Sequence, residues 1–408
     1  MRAFRFGMLE LIAASALLCL YMLIRYPEPG FIAAIQGITI WWDILFPALF
    51  PFLVISEMLL GFGIVHFLGT LLDPLMRPLF RIPGIGGFVV AMGFASGYPV
   101  GARLTSQLSE QGLLNRDEGE RLVAFTTSSD PIFLIGAVSI GFFHDVRLAV
   151  IIAIAHYGAA LALGFLMRFH GTKKLTPATN DLPAKKGSLL VRSFNAMHIA
   201  RLKDARPIGL LLQQAIRSSI ELVFVIGGLV VFFSVIIAYL SLGPVMELLT
   251  TCLRFLLQVI QIPPALSTSL INGFFEVTLG AKSAGQASEA VPLVYKVAAA
   301  TFILSWGGLS VHAQVVSILH RTNIRYITFA IARLIHGVLA ACLVFLIWKP
   351  LKPIEGAAAP AFSNYNYQPW RMLVNYESIL PLAILGGLIV LLIIIDYDKR
   401  ITASRELK

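Results

Sequence analysis

Charge is scarce in this chain. Asp, Glu, Lys and Arg make up 13% of its 408 residues, where a soluble domain carries about a quarter. Cysteine is scarcer: Cys19, Cys252 and Cys342 all lie in apolar surroundings with no CxxC spacing, a pattern that supports neither a disulfide framework nor a zinc site. The signatures of common hydrolases are missing too. No HExxH occurs among the eight histidines, and Ser96 lacks the GxSxG spacing. Gly280-Ala281-Lys282-Ser283 matches a phosphate loop only in part, because Lys does not directly follow the Gly and no strand precedes it. These absences argue against an enzyme, and no cofactor or metal is expected.

What the chain has in abundance is apolar sequence, with 57% hydrophobic residues and a mean hydropathy of +0.81. Stretches near 8–24, 44–61, 122–142, 148–167, 220–240, 293–319, 326–348 and 378–395 are each long enough, at about 1.5 Å per residue, to cross a hydrocarbon core of roughly 30 Å. The expected fold is an all-α polytopic membrane protein with about eight spans and the bilayer as its main environment. Arg2 and Arg5 precede the first stretch, and Ala14-Ser15-Ala16 imitates a cleavage site, but it falls too early in the apolar run, so the segment reads as an uncleaved anchor.

The net charge of +10 would suggest nucleic acid in a soluble protein, whereas in a membrane protein it reports orientation. With the N-terminus cytoplasmic, 23 of the 32 Lys and Arg fall on the cytoplasmic side, eight fall outside and Arg333 lies within a span. Nucleic acid is therefore excluded as a partner. The partners expected are a small organic anion and the lipid bilayer, with self-association left open.

The chain also repeats itself. Gly101-Ala102-Arg103 recurs as Gly280-Ala281-Lys282 after 179 residues, and Gly93 pairs with Gly273, Gln107 with Gln286 and His156 with His336 at spacings of 179 or 180. Three spans per copy is an odd number, so the second copy would enter the membrane upside down, as in many transporters. The expected organisation is an anchor span and outside loop (1–37), a first repeat (38–168), a basic cytoplasmic linker (169–218), a second repeat (219–348), an outside loop (349–377) and a final span with a cytoplasmic tail (378–408).

Each copy carries two polar interruptions. The first is a Gly-rich run, Gly93-Phe94-Ala95-Ser96-Gly97-Tyr98-Pro99 in one copy and Asn272-Gly273-Phe274-Phe275-Glu276-Val277-Thr278 in the other. Pro removes a donor and Gly permits a tight turn, so both read as re-entrant hairpins. Non-helical backbone at membrane depth survives only where protein or a wet cavity satisfies it, so the tips should line a cavity. The second interruption breaks a span, at Thr126-Thr127-Ser128-Ser129-Asp130-Pro131 and at Ser305-Trp306-Gly307-Gly308-Leu309-Ser310. Half-helix N-termini at such breaks favour an anion.

Ionisable groups near these breaks cost about 2.5–3.5 kcal/mol each at a helix centre, so they point to function or mutual pairing. Arg103, Lys282 and the N–H groups near Ser129 and Ser310 are the candidate anion contacts. Ser96, Gly97, Thr127, Ser128, Asn272, Thr278 and Ser305 are candidates for hydroxyl, amide or backbone contacts, and Asp130 and Glu276 for proton coupling. For Asp130, capping the second half-helix is an equally good account. His156 and His336, in plain spans, read as helix-packing hydrogen bonders.

The runs Phe46-Pro47-Ala48-Leu49-Phe50-Pro51-Phe52, Gly93 to Ala102 and Thr127-Ser128-Ser129-Asp130-Pro131 resemble the YlbJ family of sporulation integral membrane proteins. That family carries two nucleoside-recognition gate domains and is similar in architecture to concentrative nucleoside transporters. The resemblance implies a role in spore formation, with dipicolinic acid carried from the mother cell across the outer forespore membrane. One departure bears on the substrate. Those nucleoside transporters carry Gly-Gln-Thr-Glu-Ala-Pro at a hairpin tip, where this chain reads Phe274-Phe275-Glu276-Val277-Thr278-Leu279, which argues against nucleosides. Dipicolinate is a flat dianion, and Arg103 and Lys282, equivalent in the two copies, would match its two carboxylates at one midplane site. The alternatives are a non-transporting assembly factor and an intramembrane enzyme.

Overall fold

The computed structural model describes residues 2–171 and 188–351. The chain divides into two compact units. One is Met1–Arg206 with Leu211–Lys352, and the other is Pro207–Leu210 with Pro353–Lys408. Of the second, only Pro207–Leu210 is described. The final span and tail and nearly all of the expected outside loop therefore lie outside the described residues, as does the part of the expected basic linker at 172–187.

All regular structure among the described residues is helical. The chain opens with α1 (Arg2–Arg25) and α2 (Pro27–Ile40), and a π turn at Trp41–Leu45 joins α2 directly to α3 (Phe46–Gly61). The π turn falls immediately before Pro47, whose ring would meet the carbonyl four residues back in a regular helix. Next come the amphipathic α4 (Ile64–Phe80), a helical hairpin of α5 (Gly86–Ser96) and α6 (Tyr98–Glu110), a broken helix, and α8 (Leu148–Met167). The broken helix is α7 (Arg116–Thr126), irregular backbone from Thr127 to Asp130, and a π-helical segment, Phe133–Phe142.

After α9 (Leu189–Asp204), which packs on α4, elements of the same kinds follow in the same order. A long helix, α10 (Ile208–Leu242), precedes the amphipathic α11 (Pro244–Val259) and a hairpin of α12 (Ser267–Phe275) and α13 (Val277–Gly285). A broken helix of α14 (Leu293–Trp306) and α15 (Gly308–Leu319) leads to α16 (Tyr326–Leu351). Four helical stretches among the described residues are long and apolar enough to cross a membrane: Leu148–Met167, Ile208–Leu242, Leu293–Leu319 and Tyr326–Leu351. The expected span at 44–61 is shared between the π turn and α3, and that at 122–142 is split at Thr127–Asp130. The helix expected to begin at 220 starts at Ile208, and its polar early turns are carried by an i,i+4 pair, Arg217 with Glu221 at 3.1 Å.

The continuous helix α2–α3 and α10 lie antiparallel. Tyr239 Oη donates to Tyr26 O (3.2 Å), Trp41 Nε1 to Val223 O (3.0 Å) and Ser218 Oγ to Glu57 Oε1 (3.2 Å). The pair approaches closely because the Trp41 ring occupies the place where a side chain at Gly227 would stand, 2.5 Å from an ideal Cβ. These two helices form a ruler against which the depth of the cavities beside them can be read.

Candidate functional site: two hairpin tips, two broken helices and three cavities

The hairpin tips turn by different means. α5 ends at Gly97, which takes φ 89° and ψ −177°, a conformation that a residue with a Cβ adopts only under strain. α12 turns into α13 at Glu276, in extended backbone (φ −144°, ψ 126°). The second broken helix bends at Gly307 (φ 87°) and Gly308 (φ 74°). Tip and break meet within each half: a Cβ at Gly97 would lie 3.1 Å from Asp130 Oδ2, and one at Gly308 would lie 3.0 Å from Glu276 Cα. The acid stands on the break in one half and on the tip in the other, each time against glycine.

Both acids cap helices. Asp130 Oδ1 accepts from Phe133 N (2.8 Å) and Glu276 Oε2 from Leu279 N (2.7 Å), placing carboxyl groups at two positive helix ends. The N-termini of α6 and α15, behind Gly97 and Gly307, have no side-chain cap. Asp130, Glu276, Ser96, Gly97, Thr278, Ser310 and Gln314 line a central cavity of about 60 Å³, room for a few waters. Apolar walls from Leu45, Leu53, Phe133, Leu222 and Val230 complete it. The Ser96 hydroxyl, in a residue 5% exposed, has no protein partner among the described residues.

Behind the breaks lies a buried polar network. Arg333, 1% exposed, donates from Nε to Ser305 O (2.7 Å), from Nη1 to Ala124 O (3.3 Å) and Thr127 O, and from Nη2 to Ser305 O and His336 Nδ1. Those carbonyls belong to the C-terminal ends of α7 and α14, where helices leave acceptors unpaired and a cation is favoured. Because His336 Nδ1 accepts, its Nε2–H donates to His156 O (2.9 Å). His156 Nε2 accepts from Ser129 N (3.2 Å) and from Ser128 Oγ (2.8 Å), so its Nδ1–H donates to Ser305 Oγ (2.9 Å). Both rings are thereby neutral, with opposite tautomers. Tyr98 Oη donates to Leu304 O (2.7 Å) and Tyr157 Oη to Ser129 O (2.9 Å), extending the network towards the first hairpin.

The sequence-predicted site residues are thus divided. Ser96, Gly97, Asp130, Glu276, Thr278 and Ser310 come together at the central cavity. Thr127, Ser128, Ser129 and Ser305 do not line it. They face His156 and Arg333, and the Ser129 N–H offered to an anion is already used by His156. Arg103 and Lys282 do not meet at one midplane site. Arg103 lines a cavity of about 580 Å³ with Glu57, Gln107, Ser218 and Glu221, whereas Lys282 lines another of about 390 Å³ with Gln36, Ser234, Asn272, Ser283 and Gln286. Both stand one to two helical turns beyond the hairpin tips, six residues after Gly97 and after Glu276. Sequence reasoning missed Arg333 as the organiser of the breaks. The available signal was a lone cation inside a span, three residues before His336 and hence on the same helix face.

Depth along α10 orders the three cavities. Ser218 to Leu229 line the largest, Leu222 to Val230 the central one, and Ser234 to Ala238 the third. The same succession runs the other way along α2–α3, at Glu57, then Leu53 and Leu45, then Ile40, Gln36 and Ala33. Ser218 to Ala238 covers about 30 Å at about 1.5 Å per residue, roughly the thickness of a hydrocarbon core. The largest cavity shares Pro99, Leu222, Leu229 and Gln314 with the centre and lies towards the ends of α6 and α15 that lead into the loops of Arg116 and Arg321.

At those loops a single carboxylate ties three elements together. Glu120 Oε1 accepts from Arg325 N (3.1 Å) and Nε (2.7 Å), and Oε2 from Arg325 Nη2 (2.8 Å) and Thr328 Oγ1 (3.2 Å), with His170 Nε2 at 2.6 Å. Burial on its own would raise this carboxyl. The Arg325 and His170 hydrogen bonds outweigh it and hold the group down at about 2.

Comparison with known proteins bears on this geometry. A family model described as "Gate: Nucleoside recognition" matches residues 43–173, from the π turn to six residues past α8. The sporulation integral membrane protein YlbJ of Bacillus subtilis (strain 168) is 43% identical over 345 residues, covering 84% of this chain and 83% of that protein. Among solved structures, CNTnw in an inward-facing substrate-bound state aligns with a TM-score of 0.47 at 12% identity, covering 83% of this chain and 86% of that one. A doubly substituted form in an outward-facing state aligns with a TM-score of 0.44 at 13% identity, covering 84% and 87%.

Proposed function

Because the chain belongs to the YlbJ family of sporulation integral membrane proteins, we propose that it is a carrier for a small organic anion, dipicolinic acid, serving spore formation in the outer forespore membrane. The two runs of elements act as inverted repeats, and transport proceeds by alternating access around the hairpin tips. The observation that carries the reading is the file of three cavities along α10, wide at each end and reduced to about 60 Å³ where both tips and both breaks meet. A planar ring with two carboxylates does not fit in room for a few waters, so the hairpins must move for it to pass. Asp130 and Glu276 are the coupling groups, since an anion crosses a constriction bordered by two carboxyl groups more easily when they are neutral.

The test is uptake of labelled dipicolinate by the purified protein in liposomes. Accumulation above protein-free liposomes, saturable and competed by unlabelled dipicolinate, is the expected result. Folded protein that takes up none would overturn the reading and leave the family's role to assembly with partner proteins.

A further inference from the structure

Arg103 and Lys282 occupy equivalent places in the two hairpins, and each is followed one helical turn later by glutamine, Gln107 and Gln286. In both cases the cation and the amide line one cavity together, Arg103 with Gln107 in the larger and Lys282 with Gln286 in the smaller. Two acids share the larger cavity: Glu57 accepts from Ser218 Oγ of the same cavity (3.2 Å), and Glu221 pairs with Arg217 (3.1 Å). No hydrogen bond or ion pair holds the Arg103 guanidinium or the Lys282 ammonium among the described residues. Between the two cavities the charged groups are Asp130 and Glu276, whose carboxyls give the centre the wrong sign for a resting dianion.

We propose that the two cavities are separate carboxylate subsites on opposite faces of the membrane. Arg103 with Gln107 serves the face of the basic loops, and Lys282 with Gln286 serves the other. A guanidinium or ammonium beside an amide N–H donor gives a carboxylate one charge-assisted hydrogen bond and one neutral one. A carried anion is then held once before the constriction and once after it. This rests on the transport reading and divides its single anion site into two.

The test needs no transport. In a protein with Cys19, Cys252 and Cys342 replaced by serine, Gln107→Cys and Gln286→Cys are made singly. They are labelled with an anionic and a cationic thiosulfonate of similar size, added to right-side-out or inverted vesicles. Gln107→Cys should react from the basic-loop face only and Gln286→Cys from the opposite face only. Adding Arg103→Gln should lower the anionic-to-cationic rate ratio at Gln107→Cys about tenfold, as expected for one charge within several ångströms in a wet protein cavity. Lys282→Gln should do the same at Gln286→Cys, and neither should act across to the other cavity.

Reaction of both cysteines from one face would overturn the proposal, as would crossed effects, which would mean one shared site. A ratio that does not move would mean that the cations only reach towards water. A dipicolinate arm separates the two readings. Protection of each cysteine, weakened by the matching cation variant, supports both. Charge selectivity without protection upholds the subsites as anion sites and overturns dipicolinate as their ligand.

Discussion

The two sides of the broken helices differ in how their ionisable groups are held. Behind the breaks, every nitrogen of the Arg333, His336 and His156 side chains has a partner, and four helices (α7, α8, α14 and α16) are joined through them, although the Thr127 and Ser129 hydroxyls beside them have none among the described residues. In front, two carboxyls border a void and the Ser96 hydroxyl has no partner among the described residues. A buried cation whose donors are all bonded to carbonyls of other helices fixes their arrangement, whereas capped carboxyls beside a void can exchange partners or admit a ligand at little cost. On the proposed transport reading, the back of the site serves as scaffold and the front, with its glycine-turned hairpin tip, is the part that moves.

The largest effect expected is at the back. Arg333→Met keeps the apolar stem but leaves Ser305 O, Thr127 O and Ala124 O without their buried donor. Each stranded acceptor costs about 1–3 kcal/mol, and removing one partner of a buried charged arrangement about 3–5 kcal/mol in all. The variant should lose most of its folded, monodisperse fraction in detergent, and Arg333→Lys should recover only part, since one ammonium cannot span both helix ends. A fully stable Arg333→Met protein would erase the distinction between back and front. Next in size is His156→Phe. It preserves ring volume and removes the partners of Ser128 Oγ, Ser129 N and Ser305 Oγ. Thermal unfolding in detergent should show a loss of about 1–3 kcal/mol, and a loss under half a kilocalorie would place the network's strength in Arg333 alone.

This division was only partly legible in the chain. The hairpins and breaks were readable because their cause is local: Gly97 supplies a positive φ, Pro99 and Pro131 lack a donor, and Gly307-Gly308 cannot hold a straight helix. Capping by Asp130 was readable for the same reason, since cap and helix are three residues apart. The partners of His156 were not, because Ser305 is 149 residues away and only packing of α8 against α14 brings it within 2.9 Å. Arg333 stood out as a charge in a span, yet nothing in its own helix names the carbonyls of two other helices. Arg103 and Lys282, expected at one site, line two different cavities, since equal rank in the sequence repeat fixes correspondence and not proximity.

A smaller effect tests whether rigidity extends to the loop end of the scaffold. Glu120 is held at about 2, below its ordinary 4.5. A depressed carboxyl contributes stability that is fully present above its unfolded value and lost as pH falls through its folded one. The contribution should therefore decline between about pH 4.5 and pH 2. Glu120→Gln should show a lower Tm near neutrality and a shallower fall across that acid window than the parent protein. Parallel profiles for the two proteins would mean that the Arg325 and His170 contacts add nothing to the fold.

The smallest change in stability, and the most specific change in behaviour, is expected at the front. Asp130→Asn and Glu276→Gln retain an oxygen that can accept from Phe133 N and Leu279 N, so the caps survive and stability should shift by no more than about 1 kcal/mol. What the amides lose is the capacity to take up and release a proton beside the constriction. In liposomes, both variants should bind dipicolinate at equilibrium, because neither residue lines the cavity of Arg103 or that of Lys282. Both should fail to accumulate it further when a proton gradient is imposed. Accumulation driven by the gradient to the parent level in both variants would reduce the two acids to helix caps. The front would then differ from the back only in how loosely it is packed.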